Sequence, residues 1–185
     1  MPTQATTASR KTSTRRTAAT PRRATAVKKA PDAITLLRAD HKKVNELFEQ
    51  FKKTRSAAKK KQIVSQICLE LTVHAQIEEE ILYPEVQAAL KDKEMVPEAR
   101  VEHQSVKDLI TAVEGVEPDG EDYEAKITVM GEWVKHHVKE EQNEMFPKVK
   151  KSRLDLVEMG ERLQQRKEAL LAEKMAEMAD KGLRH

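Results

Sequence analysis

Histidine and glutamate stand at positions that a helical chain normally gives to apolar side chains, and they do so in duplicate. Ile34, Leu37, His41, Val44, Phe48 and Phe51 fall on alternating three- and four-residue steps, the inner stripe of an amphipathic helix. A second stripe runs Val64, Ile67, Leu71, His74, Glu78 and Ile81. A third, after a break at Pro97, runs Ala99, His103, Val106, Ile110 and Val113. A fourth, after the turn Glu117-Pro118-Asp119-Gly120, runs Ile127, Met130, Val134, His137 and Glu141. Burying an isolated charge is costly, so such groups must be paired, hydrogen-bonded or bound to a metal.

The stripes are copies of one another. The run from His41 to Leu47 matches the run from His103 to Leu109 as H-x-x-V-x-[ED]-L. His74-x-x-x-Glu78 followed by Tyr83-Pro84 matches His137-x-x-x-Glu141 followed by Phe146-Pro147, and the offsets are 62 and 63 residues. Self-similarity of this kind marks a repeated structural unit. Each unit reads as a helical hairpin, with one His on its first helix and His-x-x-x-Glu on its second. Two hairpins packed antiparallel make an all-α four-helix bundle and gather all six polar groups about a pseudo-twofold axis. With five Gly, 3% aromatics and 35% charged residues, the composition suits amphipathic helices better than a sheet.

In His-x-x-x-Glu the two side chains share a face one turn apart, so both reach one metal ion, or the Glu bridges two. The candidate ligands are His41, His74, Glu78, His103, His137 and Glu141. If both carboxylates bridge, each of two ions receives two imidazole nitrogens and two carboxylate oxygens. Positions then remain for an oxo or hydroxo bridge and an external ligand. This donor set suits iron or manganese, with zinc possible; the lack of thiolates argues against a structural zinc site. A single His on an apolar stripe is ordinarily a satisfied core group. Four at repeat-related positions, two with Glu one turn on, favour ligation.

Neighbouring groups receive plainer expectations. Glu79, Glu80 and Glu140 read as solvated or outer partners of the ligands. His136 lies about 100° around the helix from His137 and reads as a surface or outer group. His185, at the chain end, is expected to be exposed. Tyr83 and Trp133 are expected to fill core or interface space. Cys68 is the single cysteine; it has no internal disulfide partner, reads as a small buried hydrophobe and is consistent with a reducing compartment.

Outside residues 31–150 lie two further regions. Residues 1–30 hold eight basic side chains and no acidic one amid Ser and Thr, a composition expected to stay disordered. Such a tail serves as a solubilising leader, touches nucleic acid or another polyanion without sequence specificity, or acts as a transit segment. Residues 151–185 carry an amphipathic segment from about Leu154 to Met178, with Leu163, Leu170, Leu171 and Met175. It is expected to form an extra C-terminal helix that packs across the bundle or makes an oligomer contact. No stretch approaches the roughly 20 apolar residues of a membrane span, and no signal-peptide core follows the basic start, so no membrane partner is expected.

The combination of Asp40-His41, His74-x-x-x-Glu78, Glu102-His103 and His137-x-x-x-Glu141, with Tyr83-Pro84 and Phe146-Pro147, resembles the hemerythrin-like, or HHE cation-binding, domain over residues 32–150. The resemblance implies an up-down-up-down bundle in which His41, His74, Glu78, His103, His137 and Glu141 hold two oxo- or hydroxo-bridged iron ions. Ferritin-like di-iron proteins use Glu-x-x-His instead, the reverse order with a different step. Oxygen-carrying hemerythrins have a further His one turn after the third-helix His, where this chain has Lys107. The resemblance is therefore to a four-His variant, and reversible O₂ carriage is not implied. It points instead to a bacterial, cytoplasmic protein that binds or senses O₂, peroxide or nitric oxide, or handles iron in stress defence. The cysteine pair expected of an iron–sulfur repair member is missing.

Two other classes stay open. A nucleic-acid-associated protein with a structural metal rests on the basic tail alone. An enzyme that decomposes peroxide or oxidises ferrous iron is the other, but no separate general base or substrate pocket is legible, so no catalytic residue is assigned.

Overall fold

The structure, a computed structural model, describes residues 30–183 except 92, 115, 119 and 121. The basic tail before Ala30, and His185, lie outside the described residues. The elements are α1 (Ala33–Lys53), α2 (Ala57–Ile77), a π turn (Glu78–Leu82), α3 (Tyr83–Leu90), α4 (Met95–Val113), α5 (Tyr123–Glu140), a second π turn (Glu141–Met145), α6 (Phe146–Lys151) and α7 (Leu156–Leu183). α2 runs through its π turn into α3, and α5 likewise into α6. The result is four long rods running up, down, up and down, with α1 against α2 and α5, and α4 against α2 and α5.

Local chemistry sets the ends. Asp32 accepts the Thr35 amide at 3.1 Å and caps α1, satisfying one of the otherwise orphaned first-turn donors. Lys52 and Lys53 close the same helix, where the dipole favours positive charge. Ser56 caps α2 through the Lys59 amide at 3.4 Å. Pro97 does not break the chain before α4, as its position suggested. It sits in the first turn of α4, where an N–H would lack a partner anyway. The break falls earlier, at Lys91, whose φ of 52° lies in the left-handed region and ends α3.

The π turns shift the inner face. The Tyr83 amide bonds back to the Glu78 carbonyl, and the Phe146 amide to that of Glu141, each a five-residue step. Pro84 and Pro147 follow directly. A prolyl nitrogen has no hydrogen to donate, and its ring clashes with the carbonyl four residues back; a widened turn relieves both problems. Beyond Glu78 the interior therefore belongs to Leu82, Tyr83 and Val86, each fully buried. Ile81, expected on the inner stripe, is only half-buried.

Apolar side chains fill the bundle above and below a polar belt. One cluster holds Phe48, Phe51, Ile67, Ile110, Ile127 and Met130. The other holds Leu37, Ile77, Leu82, Val96, Phe146 and Leu163. Helix α7 lies across α1 and α2 and seats Leu163 and Leu170 in the core. Its close approach needs Gly160, where an added Cβ would stand 2.2 Å from the Pro31 carbonyl oxygen. Met175, expected on the same stripe, is 62% exposed, so the packed face ends before it. Trp133 does not fill the core: it is 46% exposed on α5, which leaves the interface half of the expectation. Cys68 is buried, and burial pushes its thiol up to about 12. Among the described residues no helix is long and apolar enough to cross a membrane.

Candidate metal centre

The six sequence-predicted residues meet in the polar belt, and all are buried. Each histidine turns its Nε2 inward. His41 Nε2 lies 3.0 Å from His74 Nε2, and His103 Nε2 lies 3.1 Å from His137 Nε2. The glutamates link these two pairs. Glu78 Oε2 is 3.3 Å from His74 Nε2 and 3.4 Å from His103 Nε2. Glu141 Oε2 is 3.2 Å from His41 Nε2 and 3.7 Å from His137 Nε2. Each carboxylate thus touches both pairs, as a bridging ligand must. Two overlapping donor groups result: His41, His74, Glu78 and Glu141, and Glu78, His103 and His137.

The outward nitrogens are held by a further ring of side chains. His103 Nδ1 donates to Glu79 Oε1 at 3.0 Å, and His137 Nδ1 to Glu102 Oε2 at 2.7 Å. The Gln142 amide lies 3.2 Å from His41 Nδ1. Asp40 Oδ2 stands 3.6 Å from His74 Nδ1, an ion-pair separation longer than a hydrogen bond. A proton held on Nδ1 leaves the Nε2 lone pair free for a metal. This ring obeys the repeat as well: Asp40 and Glu102 correspond, as do Glu79 and Gln142. Lys107 grips both oxygens of Glu79, at 2.7 and 2.8 Å.

Residues 32–149 match the sequence profile of the hemerythrin HHE cation binding domain. The chain belongs to that family. Two known proteins add detail to this hemerythrin-family assignment. One is a hemerythrin HHE cation binding domain-containing protein from Mycobacterium kansasii, whose crystal structure superposes with a TM-score of 0.72 at 22% identity, over 82% of this chain and 94% of that one. The other is a DNA nickase from Nostoc sp. strain PCC 7120, 28% identical over 115 residues. The match covers 62% of this chain and 32% of the nickase, so this hemerythrin-family chain spans about a third of that relative's length.

The electrostatics of the hemerythrin-family site fit a cation. Glu78 Oε1 is buried and accepts no hydrogen bond. Burial and the nearby Glu141 carboxylate push Glu78 well above the usual carboxylate range. Burial pushes Glu141 up too, but His137 and His41 outweigh it and hold the group down to about 2. Two carboxyl groups and four imidazole Nε2 atoms therefore share one enclosed space, with no ammonium or guanidinium among the inward groups. Positive charge placed there would relieve the conflict between the glutamates.

Tyr83 was expected only to fill space. It is fully buried, yet its hydroxyl reaches the centre, donating to Glu141 Oε1 at 3.1 Å and lying 3.2 Å from His103 Nε2 and 3.4 Å from Glu78 Oε2. Burial and both glutamates hold the phenol well above its ordinary pKa, so it keeps its proton. Its repeat partner Phe146 has no hydroxyl and stacks on His41, with centroids 5.9 Å apart. The expected surface groups stay outside: His136 is exposed, and Glu80 pairs with Arg166 at 2.6 Å.

Proposed function

We propose that this is a non-haem di-iron protein that binds or senses a small ligand (O₂, peroxide or nitric oxide), or handles iron in stress defence. His41 and His74 would hold one ion, His103 and His137 the other, and Glu78 and Glu141 would bridge them. The observation that carries the reading is the space beside these donors. A cavity of about 30 Å³ touches all four histidines and is otherwise walled largely by Val44, Leu71, Val106, Ile110 and Val134. That volume suits one water-sized or diatomic molecule and no larger organic substrate. Bound iron would supply redox chemistry and open coordination positions for such a ligand. The chain's own contribution is to exclude water with the valine and leucine wall and to keep a phenolic proton on Tyr83. Nδ1 partners orient His103 and His137.

The test is metal content of protein purified without added metal, followed by mixing the reduced protein with O₂, peroxide or nitric oxide under anaerobic control. About two irons per chain and an optical change on mixing are expected. No optical change and no ligand uptake would remove the reading.

A second reading, a nucleic-acid-associated protein, is favoured by the Nostoc relative, which is named a DNA nickase, and by the basic residues 1–30. A groove of about 340 Å³ between α1 and α5 adds Arg38, Lys42 and Lys135 near His41, suited to phosphate contacts. Deleting residues 1–29 should then weaken DNA or RNA binding at moderate salt. Unchanged binding would take the tail out of this reading and leave the groove to carry it, and no binding in either form would rule it out.

A further inference from the structure

The pseudo-twofold that duplicates the centre breaks on one outer face. Asp40 and Glu102 are repeat-related, and each faces the Nδ1 of a centre histidine. The remaining oxygen of Asp40 is neutralised by Lys167, delivered by α7. Glu102 has no such partner: among the described residues its Oε1 faces only His136 Nε2, at 3.6 Å. His136 Nε2 in turn lies 3.0 Å from Glu140 Oε1. The repeat-related positions in the first hairpin are Val73 and Ile77, 1% and 0% exposed. The Glu-His-Glu trio is therefore specific to the face that α7 leaves open.

A second observation connects the trio with the interior. A cavity of about 50 Å³ beside it is lined by Glu98, Glu102, Glu140, Glu144 and the buried Glu141, and by no Lys, Arg or His. Glu141 is 2% exposed and joins this cavity to the centre, where its Oε2 lies 3.2 Å from His41 Nε2 and its Oε1 accepts from Tyr83. Met95, which also lines the cavity, has the Lys148 ammonium on its Sδ at 3.2 Å. Five carboxylates around one small opening concentrate cations. Two carboxylates and one imidazole are a donor set for first-row divalent ions.

We infer that Glu102, His136 and Glu140 form a loading site for a divalent metal cation, which passes Glu141 on its way to the buried centre. The inference rests on reading the centre as a metal site. Glu102 joins the two, holding His137 through Oε2 and facing the loading site with Oε1. The cation there plays the part that Lys167 plays at Asp40.

The variant His136→Ala, Glu140→Gln tests this without touching Glu102 or any centre ligand. Both positions lie on the outer face of α5, and circular dichroism checks that the helix content is kept. Two measurements are made. Mn²⁺ binding to the iron-loaded protein is followed by electron paramagnetic resonance; wild type should take up an additional, weakly held Mn²⁺ that the variant lacks. Uptake of ferrous iron by metal-free protein is followed by stopped flow; the variant should load about tenfold more slowly, the lower range of electrostatic steering, and reach the same final content. No additional Mn²⁺ on wild type, or loading of the variant at the wild-type rate, would overturn the inference. A His41→Ala, His74→Ala variant keeps failure of the centre distinct, since it should still bind the outer Mn²⁺ while losing iron.

Discussion

The two hairpins supply the same donors but differ in what surrounds them. In the first, α7 covers the outer face, Lys167 pairs with Asp40, and Val73 and Ile77 are buried beneath. In the second the corresponding face is open and carries Glu102, His136 and Glu140. Inside, Tyr83 points a hydroxyl at the centre where Phe146 offers only a ring. The neutral Gln142 stands by His41, where Glu79, clamped by Lys107, stands by His103. The donor geometry tolerates little change because each atom must meet a shared point. The surroundings are free to diverge: α7 covers one side and leaves the other exposed.

The largest expected effect tests whether the glutamates serve both halves. Glu78→Gln or Glu141→Gln alone should lower metal content from about two ions per chain to near none, because each carboxylate touches both histidine pairs. Loss of a single ion, read by elemental analysis, would assign each glutamate to one half. In metal-free protein the two should separate. Burial and the Glu141 carboxylate push Glu78 toward its protonated form, so its amide should be the better tolerated, whereas Glu141→Gln removes a carboxylate that His137 and His41 hold down. That should cost about 2 kcal/mol in urea unfolding.

Next comes the cover of the first hairpin. Gly160→Ala would press a methyl against the Pro31 carbonyl and the Ala33 amide, at 2.2 and 2.8 Å. Backbone cannot yield there as a side chain could. A loss of about 2–3 kcal/mol and rapid proteolysis of α7 are expected; an unchanged urea midpoint would mean that α7 is not tightly seated.

Tyr83→Phe makes the inner walls alike. It deletes the hydrogen bond to Glu141 and should cost about 1 kcal/mol with metal content unchanged. Loss of metal would show that the two aromatic positions are not interchangeable.

The smallest effect concerns helix starts, which also differ: α1 has the Asp32 cap, and α4 begins at Glu94 without a side-chain cap. Asp32→Ala should cost about 1 kcal/mol at neutral pH. Hydrogen bonds from the Thr35 hydroxyl and amide lower the Asp32 pKa in the folded chain. A lowered folded value means that the contribution is complete above the unfolded aspartate range and fades as pH falls through the folded one. The gap between wild type and variant should therefore close in acid; a gap independent of pH would assign the stabilisation to something other than the charged cap.

The bundle and its donors were legible because they are periodic. Four stripes, two His-x-x-x-Glu steps and one duplication leave few ways to arrange the chain. The outer ring was less so. Asp40 and Glu102 adjoin His41 and His103 in sequence, but a neighbour on a helix points about 100° away, and each serves a histidine on the next helix. Gln142 has no distinguishing chemistry; only its alignment with Glu79 in the repeat signals it. Pro84 and Pro147 were visible, but whether a proline kinks, ends or widens a helix depends on the packing around it. That choice put Leu82 and Tyr83 inside in place of Ile81. Trp133 carried its own warning, since it lies off the stripe of Ile127, Met130, Val134 and His137.

The correspondence between the hairpins bears on ancestry. One such hairpin carries half the donors, so two separate copies meeting as a symmetric dimer would assemble the whole set. In that arrangement every substitution appears twice. Joining the copies in one gene lifts the constraint: a hydroxyl gained at one aromatic position need not be gained at the other. On the di-iron reading, fusion is what allows the two ions to occupy unlike environments, and a spectrum that resolves them, such as two distinct Mössbauer doublets, would record that broken symmetry.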